Sequence, residues 1–202
     1  ISDSVGWIVG HDANILHTRD GGETWSIQFR DPEWGKPWYD IVMLDAQRGF
    51  VVGANARMMQ TSDGGANWEI IEPDFTFNGT NLYGIEQLPN GTLFIHGEKG
   101  ILARSMDEGA TWEQLFSPYS GSFFAMLPFG ETGAYLMGLR GTVFAVGDVN
   151  SIETIDPMEW DEFSLETITD NELLGPLGFR YYLNPLKESL FGGDVISDND
   201  VL

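Results

Sequence analysis

Three aspartates, Asp20, Asp63 and Asp107, recur in one setting, and carboxylates at a fixed spacing are the first groups to test for chemistry. Each sits in a copy of [S/T]-x-D-x-G-x-[T/N]-W, running Thr18 to Trp25, Thr61 to Trp68 and Ser105 to Trp112. Paired carboxylates hydrolyse glycosidic bonds when held at the right separation. The motif also has a structural role open to it. An Asp side chain accepts from backbone N–H groups of its own turn, the Gly supplies positive φ at low steric cost, and the Trp re-enters the next strand as a large apolar filler. Asp20, Gly22 and Trp25, Asp63, Gly65 and Trp68, and Asp107, Gly109 and Trp112 are therefore expected to build turns rather than to catalyse.

Other reactive constellations are weak. A sialidase-type centre needs clustered arginines, a Tyr–Glu pair and an Asp acid. The seven arginines here are scattered, and no Phe-Arg-Ile-Pro type start is present. The three histidines, His11, His17 and His96, lack ligand-like spacing. His11 with Asp12 reads as a turn, and His96 as a packed strand residue. Asp194, Asp198 and Asp200 with Asn199 lack the Gly and the terminal Glu of a calcium loop. There is no phosphate-cradling glycine loop and no G-x-S-x-G. No cysteine is available for a disulfide or a thiolate ligand. The expectation is no catalytic residue, no metal and no cofactor. Of two Asn-Gly-Thr sequons, at Asn78 and Asn90, the second follows Pro89 and fits a hairpin turn.

The formal net charge of −21 repels nucleic acid and anionic membrane surfaces. Between Arg140 and Arg180 lie nine carboxylates and no Lys, Arg or His, a solvated acidic loop or a docking strip for a basic partner. No apolar run approaches the roughly 20 residues of a membrane-spanning helix.

The elements that position these residues repeat. The motif tryptophans are 43 and 44 residues apart. Upstream of each motif lies an apolar run ending in Gly: Trp7 to Gly10, Phe50 to Gly53 and Phe94 to Gly97. A fourth copy, Tyr135 to Gly138, leads to a motif reduced to Gly147-Asp148, and a fifth is suggested by Ser189–Gly193 with Val195–Asp198. A period of about 40–45 residues in strand-sized pieces is that of a β-propeller blade. The expected fold is all-β, with four-stranded antiparallel blades near 1–28, 38–72, 82–116, 122–168 and 173–202 of a single domain. Val5-Gly6-Trp7 already reads as a second strand.

Strand order places the Asp-box turns on one face. The opposite face collects the links between blades and the turns between strands two and three. It is expected to carry Trp34, Lys36, Trp38 and Tyr39 from the first link, Phe75 and Phe77 from the second, and Arg57, Lys99 and Arg140 from the turns. Aromatic residues with a few cations are common anchors of protein interfaces. A glycan-binding or carbohydrate-active surface could use the same aromatics.

These boxes, with the run Gly-Trp-Ile-Val-Gly-His-Asp-Ala-Asn-Ile-Leu-His-Thr at positions 6–18, resemble the BNR/Asp-box propellers, and more narrowly the photosystem II stability/assembly factor family and its bacterial relatives. That resemblance implies a seven-bladed, periplasmic or otherwise exported propeller that helps assemble a membrane protein complex without catalysing a reaction. The low arginine content departs from the arginine-rich patch of photosynthetic members and points to a non-photosynthetic bacterial relative. Such relatives imply a transporter of the resistance-nodulation-division type as the partner, with no nucleic acid and no direct membrane insertion.

Overall fold

The computed structural model describes residues 2–73 and 79–155 and the strand positions 173–174, 179–182, 195–197 and 200–201. Phe75, Phe77, Asn78, Ser189–Gly193, Asp194, Asp198, Asn199 and the carboxylates from 156 to 172 lie outside the described residues. The chain divides into two compact units, residues 1–85 and 86–202.

All the regular elements of the described residues are strands or single 3-10 turns. The first sheet holds β1 (Gly6–Val9), β2 (Ile15–Thr18) and β3 (Ser26–Phe29) in sequence order. The second holds β4 (Trp38–Met43), β5 (Gly49–Gly53), β6 (Met58–Thr61) and β7 (Glu69–Ile71). The third holds β8 (Leu82–Gln87), β9 (Leu93–Gly97), β10 (Leu102–Ser105) and β11 (Glu113–Gln114). Each is an antiparallel meander, the form that a short Gly-rich repeat favours because neighbouring strands need only tight turns. This is the blade of an all-β propeller.

The fourth sheet departs from simple repetition. It contains β12 (Phe123–Phe129), β13 (Gly133–Gly138) and β14 (Val143–Val146) in order. Next to β14 comes β16 (Phe179–Tyr182), and then β15 (Leu173–Leu174). The outer strand of this blade is thus drawn from beyond residue 168, where the sequence had suggested a fifth repeat. The segment after β14 goes elsewhere. Phe116 donates its N–H to the Glu153 carbonyl, Ile155 donates to that of Gln114, and Leu115 bridges Thr154. Backbone pairing thus covers the edge of the third sheet beside β11. A last pair, β17 (Val195–Ser197) with β18 (Asp200–Val201), stands as a two-stranded sheet.

Each unit has its own core. In the first, Ala13, Ile15, Trp38, Val51 and Met59 are buried together. In the second, Phe94, Leu102, Phe123, Leu136, Phe144 and Phe179 lie in one larger cluster. Strands β5 and β9 are buried at every position. A strand packed on both faces needs apolar residues at consecutive positions, which explains the runs Phe-Val-Val and Leu-Phe-Ile.

Candidate protein-binding face

The three Asp boxes are near-copies of one another. Thr18, Thr61 and Ser105 donate their hydroxyls to Asp20, Asp63 and Asp107 at 2.7, 3.0 and 2.8 Å. The same hydroxyls accept from the N–H of Gly22, Gly65 and Gly109 at 3.0, 2.8 and 2.8 Å. Each Asp then accepts from the backbone N–H and the side chain of the residue four on, Thr24, Asn67 or Thr111. The side-chain bond from Thr24 is the largest cause holding Asp20 down at about 2, and that from Thr111 does the same for Asp107. Asn67 lowers Asp63 in the same way. A carboxylate that accepts this many hydrogen bonds is a poor general acid and a poor nucleophile.

The decayed fourth box keeps part of this plan. In the intact boxes Gly21 donates to the Ser4 carbonyl and Gly64 to that of Gln47, tying the motif to the turn before it. Val149 donates to the Thr132 carbonyl in the same manner, and Asp148 accepts from the Asn150 N–H at 3.0 Å. From β10, the buried Arg104 donates to the carbonyls of Val149, Asn150 and Ile152 and to Glu113. The arginine holds a turn that the motif no longer closes by itself.

The first inter-blade link folds on Asp31. Its carboxylate accepts the Trp34 N–H at 3.0 Å and its carbonyl accepts that of Gly35. The Trp34 bond is the main cause lowering the Asp31 carboxyl, with the Arg57 guanidinium adding to it. The turn brings Trp34 to 4.8 Å from Trp38, and Arg57 sits 4.4 Å from the centre of the Trp34 ring and 5.8 Å from that of Trp38. Arg57 also pairs with Asp31 at 3.1 Å.

Two of the residues expected on the face are therefore placed differently. Trp38 is 1% exposed and lies in the core of the first unit. It stands opposite Gly53, where a Cβ would come within 2.7 Å of the indole, so only glycine there lets the ring lie inward. Arg57 is covered by two indoles and an acid and holds the link from beneath. Trp34 is half-buried against the same core.

Lys36 and Tyr39 are exposed. The register of β4 against β5 skips between Trp38 and Asp40, so Tyr39 occupies a bulge. An extra residue in one strand is left out of the ladder and its side chain is re-aimed. The Tyr39 ring, 40% exposed, meets Tyr83 edge-to-face at 5.3 Å. The sequence reading missed Tyr83. Its signal was positional: Trp38-Tyr39, Leu82-Tyr83 and Phe123-Phe124 open the first strand of three successive copies, and β12 skips register at Phe124 as well.

In the second unit Lys99 and Arg140 are exposed in identical turns, at φ 58 and ψ 29 and at φ 60 and ψ 30. The matching residue in the first unit is Asn55, at φ 60 and ψ 37, and not Arg57. Gly100 follows Lys99 with φ 74, and a Cβ there would lie 1.7 Å from the Tyr119 carbonyl oxygen. Tyr119 donates its hydroxyl to the Leu139 carbonyl at 3.1 Å, so one tyrosine supports both turns. Among the described residues no group of three or more His, Asp or Glu is placed to hold a metal, and no helix is long and apolar enough to cross a membrane.

The family model described as photosynthesis system II assembly factor YCF48 matches residues 29–150, more than half of the chain. The chain belongs to that family. Among solved structures it is similar to a YCF48 bound to D1 peptide, with 26% identity and a TM-score of 0.54 over 77% of this chain and 49% of that one. It is also similar to YCF48 from Cyanidioschyzon merolae, with 15% identity and a TM-score of 0.51 over 74% of this chain and 54% of that one. This chain therefore spans about half the length of the YCF48 structures it matches. An ancestral GH74 enzyme shares the fold, at 12% identity and a TM-score of 0.59 over 80% of this chain and 25% of that one. Among curated proteins no sequence matches.

Proposed function

We propose that this YCF48-family chain is a non-catalytic propeller module that docks on a segment of a membrane-associated protein complex. Its candidate contact residues in the first unit are Lys36, Tyr39 and Tyr83; in the second unit, taken by itself, the exposed turn residues Lys99 and Arg140 are a separate candidate. The observation that carries this reading is the Tyr39–Tyr83 pair. Tyr39 stands at the surface on a bulge, edge-packed on the half-buried Tyr83, and the Asp31–Trp34–Arg57 cluster fixes the link beside it. Rigid tyrosines give large contact area at low entropic cost, which suits recognition of a protein segment. Family membership supports the assembly role, and a YCF48 structure with a bound D1 peptide supports a peptide segment as the ligand class.

The absence of catalysis is part of the proposal. It is supported by the Asp-box carboxylates, repeated in all three boxes, whose oxygens are occupied by internal donors. A transporter of the resistance-nodulation-division type is the finer candidate for the complex, and the periplasm or another exported compartment the finer candidate for the location.

The test is co-isolation from native membranes with wild type and a Tyr39→Ala/Tyr83→Ala variant, together with an assay for release of sugar from polysaccharides. Recovery of one membrane complex by wild type alone, without sugar release, is expected. Equal recovery by both forms, or sugar release that the wild type catalyses, would overturn the reading.

A further inference from the structure

The repeats expose a substitution of two residues together. The residue before the glycine that ends the second strand is Val9, Val52 and Met137 in three copies, but His96 in the remaining one. On the first strand, Val42 and Leu127 have Glu86 as their counterpart in that same copy. An apolar pair has been replaced by a buried imidazole and a half-buried acid, and a buried polar ring needs a hydrogen-bond partner.

The geometry is specific about protons. His96 is 1% exposed. Its Nδ1 lies 3.1 Å from the Phe123 carbonyl oxygen and its Nε2 lies 3.2 Å from Glu86 Oε1. A backbone carbonyl can only accept, and so can an ionised carboxylate. A neutral imidazole carries one N–H. Both contacts become hydrogen bonds only if one further proton is present, on the ring facing a carboxylate or on the acid facing the ring. Glu86 is half-buried, and its Oε2 is shielded with no hydrogen-bond partner, so that oxygen lacks a donor.

We propose that His96 and Glu86 hold one shared proton and act as a pH-sensitive latch joining β8 and β9 to the start of β12. The charged groups around the pair leave this assignment intact. Arg104 on β10 is engaged with Glu113 and with the carbonyls of Val149, Asn150 and Ile152. The turn after β9, which packs on β12, brings Glu98 and Lys99, of opposite sign. β8 contributes Tyr83 besides Glu86, and β12 carries no titratable side chain.

The sign follows from proton counting. An unfolded histidine releases its proton near pH 6.5. In the proposed latch the proton bridges Nε2 and Oε1, so folding favours the protonated pair. The latch therefore contributes fully below that pH, and its contribution is lost as pH rises through the titration of the folded pair. In that window the folding equilibrium constant falls by up to about tenfold per pH unit.

The test is denaturant unfolding of the full chain at several values between about pH 6 and 8.5, the window set by an ordinary histidine. Wild type is compared with Glu86→Leu/His96→Met, which restores the residue types of the fourth copy, and with Glu86→Gln, whose amide can donate to a neutral ring. We expect wild type to lose at least about tenfold more in folding constant across this range than a folded variant does. Parallel pH profiles for wild type and a folded variant would overturn the latch. Should the apolar double variant not fold, the glutamine variant decides, because it keeps both contacts and removes only the proton.

Discussion

The Arg57 guanidinium lies 4.4 Å from the centre of the Trp34 ring while it pairs with Asp31 at 3.1 Å. A cation flanked by an indole and an acid of its own chain is committed to the fold. Its task is to hold the first link in place, so that Lys36 and Tyr39 project from a rigid base.

Arg57→Ala should therefore act on stability. A partly buried cation–π contact and a charge-assisted hydrogen bond together are worth about 1–3 kcal/mol. Arg57→Lys should retain part of that, because a compact ammonium cannot match the planar stacking. Shifts in the denaturant midpoint, with tryptophan fluorescence reporting Trp34, will check the order wild type, lysine, alanine.

Trp38 and Tyr39 are neighbours with opposite consequences. Trp38→Ala empties a site in the core of the first unit and should cost about 3–5 kcal/mol, enough to unfold that unit or nearly so. Tyr39→Ala lies at the surface, and its thermal unfolding should stay within about 0.5 kcal/mol of wild type. Comparing the two melting curves tests the bulge that separates them.

The Asp boxes predict how the chain responds to acid. Asp20 and Asp107 sit at about 2 in the folded state, below their ordinary 3.8. A depressed carboxylate contributes stability above its unfolded value and loses it as pH falls through its folded one. Wild type should lose stability progressively from about pH 4 to about pH 2, and Asp20→Asn/Asp107→Asn should show a shallower slope there. Circular dichroism along an acid titration reads both slopes.

Gly100→Ala is expected to be disruptive. The position has φ 74, and the added methyl would meet the Tyr119 carbonyl at 1.7 Å. Strain and displacement of Tyr119 should cost about 2–4 kcal/mol, against about 1 kcal/mol for an ordinary glycine position of this kind. Because Tyr119 also supports the turn that carries Arg140, amide spectra should change at both turns.

Much of the fold was legible in the sequence because the repeat states it several times. The box residues, the apolar runs ending in glycine and the order of strands follow from periodicity and turn chemistry alone. The fourth strand of the fourth blade was not legible. Once its motif is reduced to Asp148, nothing local says that Phe179–Tyr182 rather than the following segment will pair with Val143–Val146. The candidate face was legible only in part. Composition marked Trp34, Trp38 and Arg57 as aromatics and a cation near a link, but it does not show that they face one another. Tyr83 was hidden because its meaning lies in a register skip, which appears only when Trp38, Asp40 and their partners on β5 are paired. His96 was visible as a departure from the repeat, yet its pairing with Glu86 needs the third dimension.

The central claim, that the surface around Tyr39 contacts a membrane protein complex, is tested most directly by photo-crosslinking. A benzoylphenylalanine replaces Tyr39 in one preparation and Thr24, on an Asp-box turn, in another, and each is irradiated with native membranes. Adducts from position 39 with one subunit of a membrane complex, absent from position 24, are the predicted result. Adducts from position 24 alone, or the same adducts from both, would contradict it.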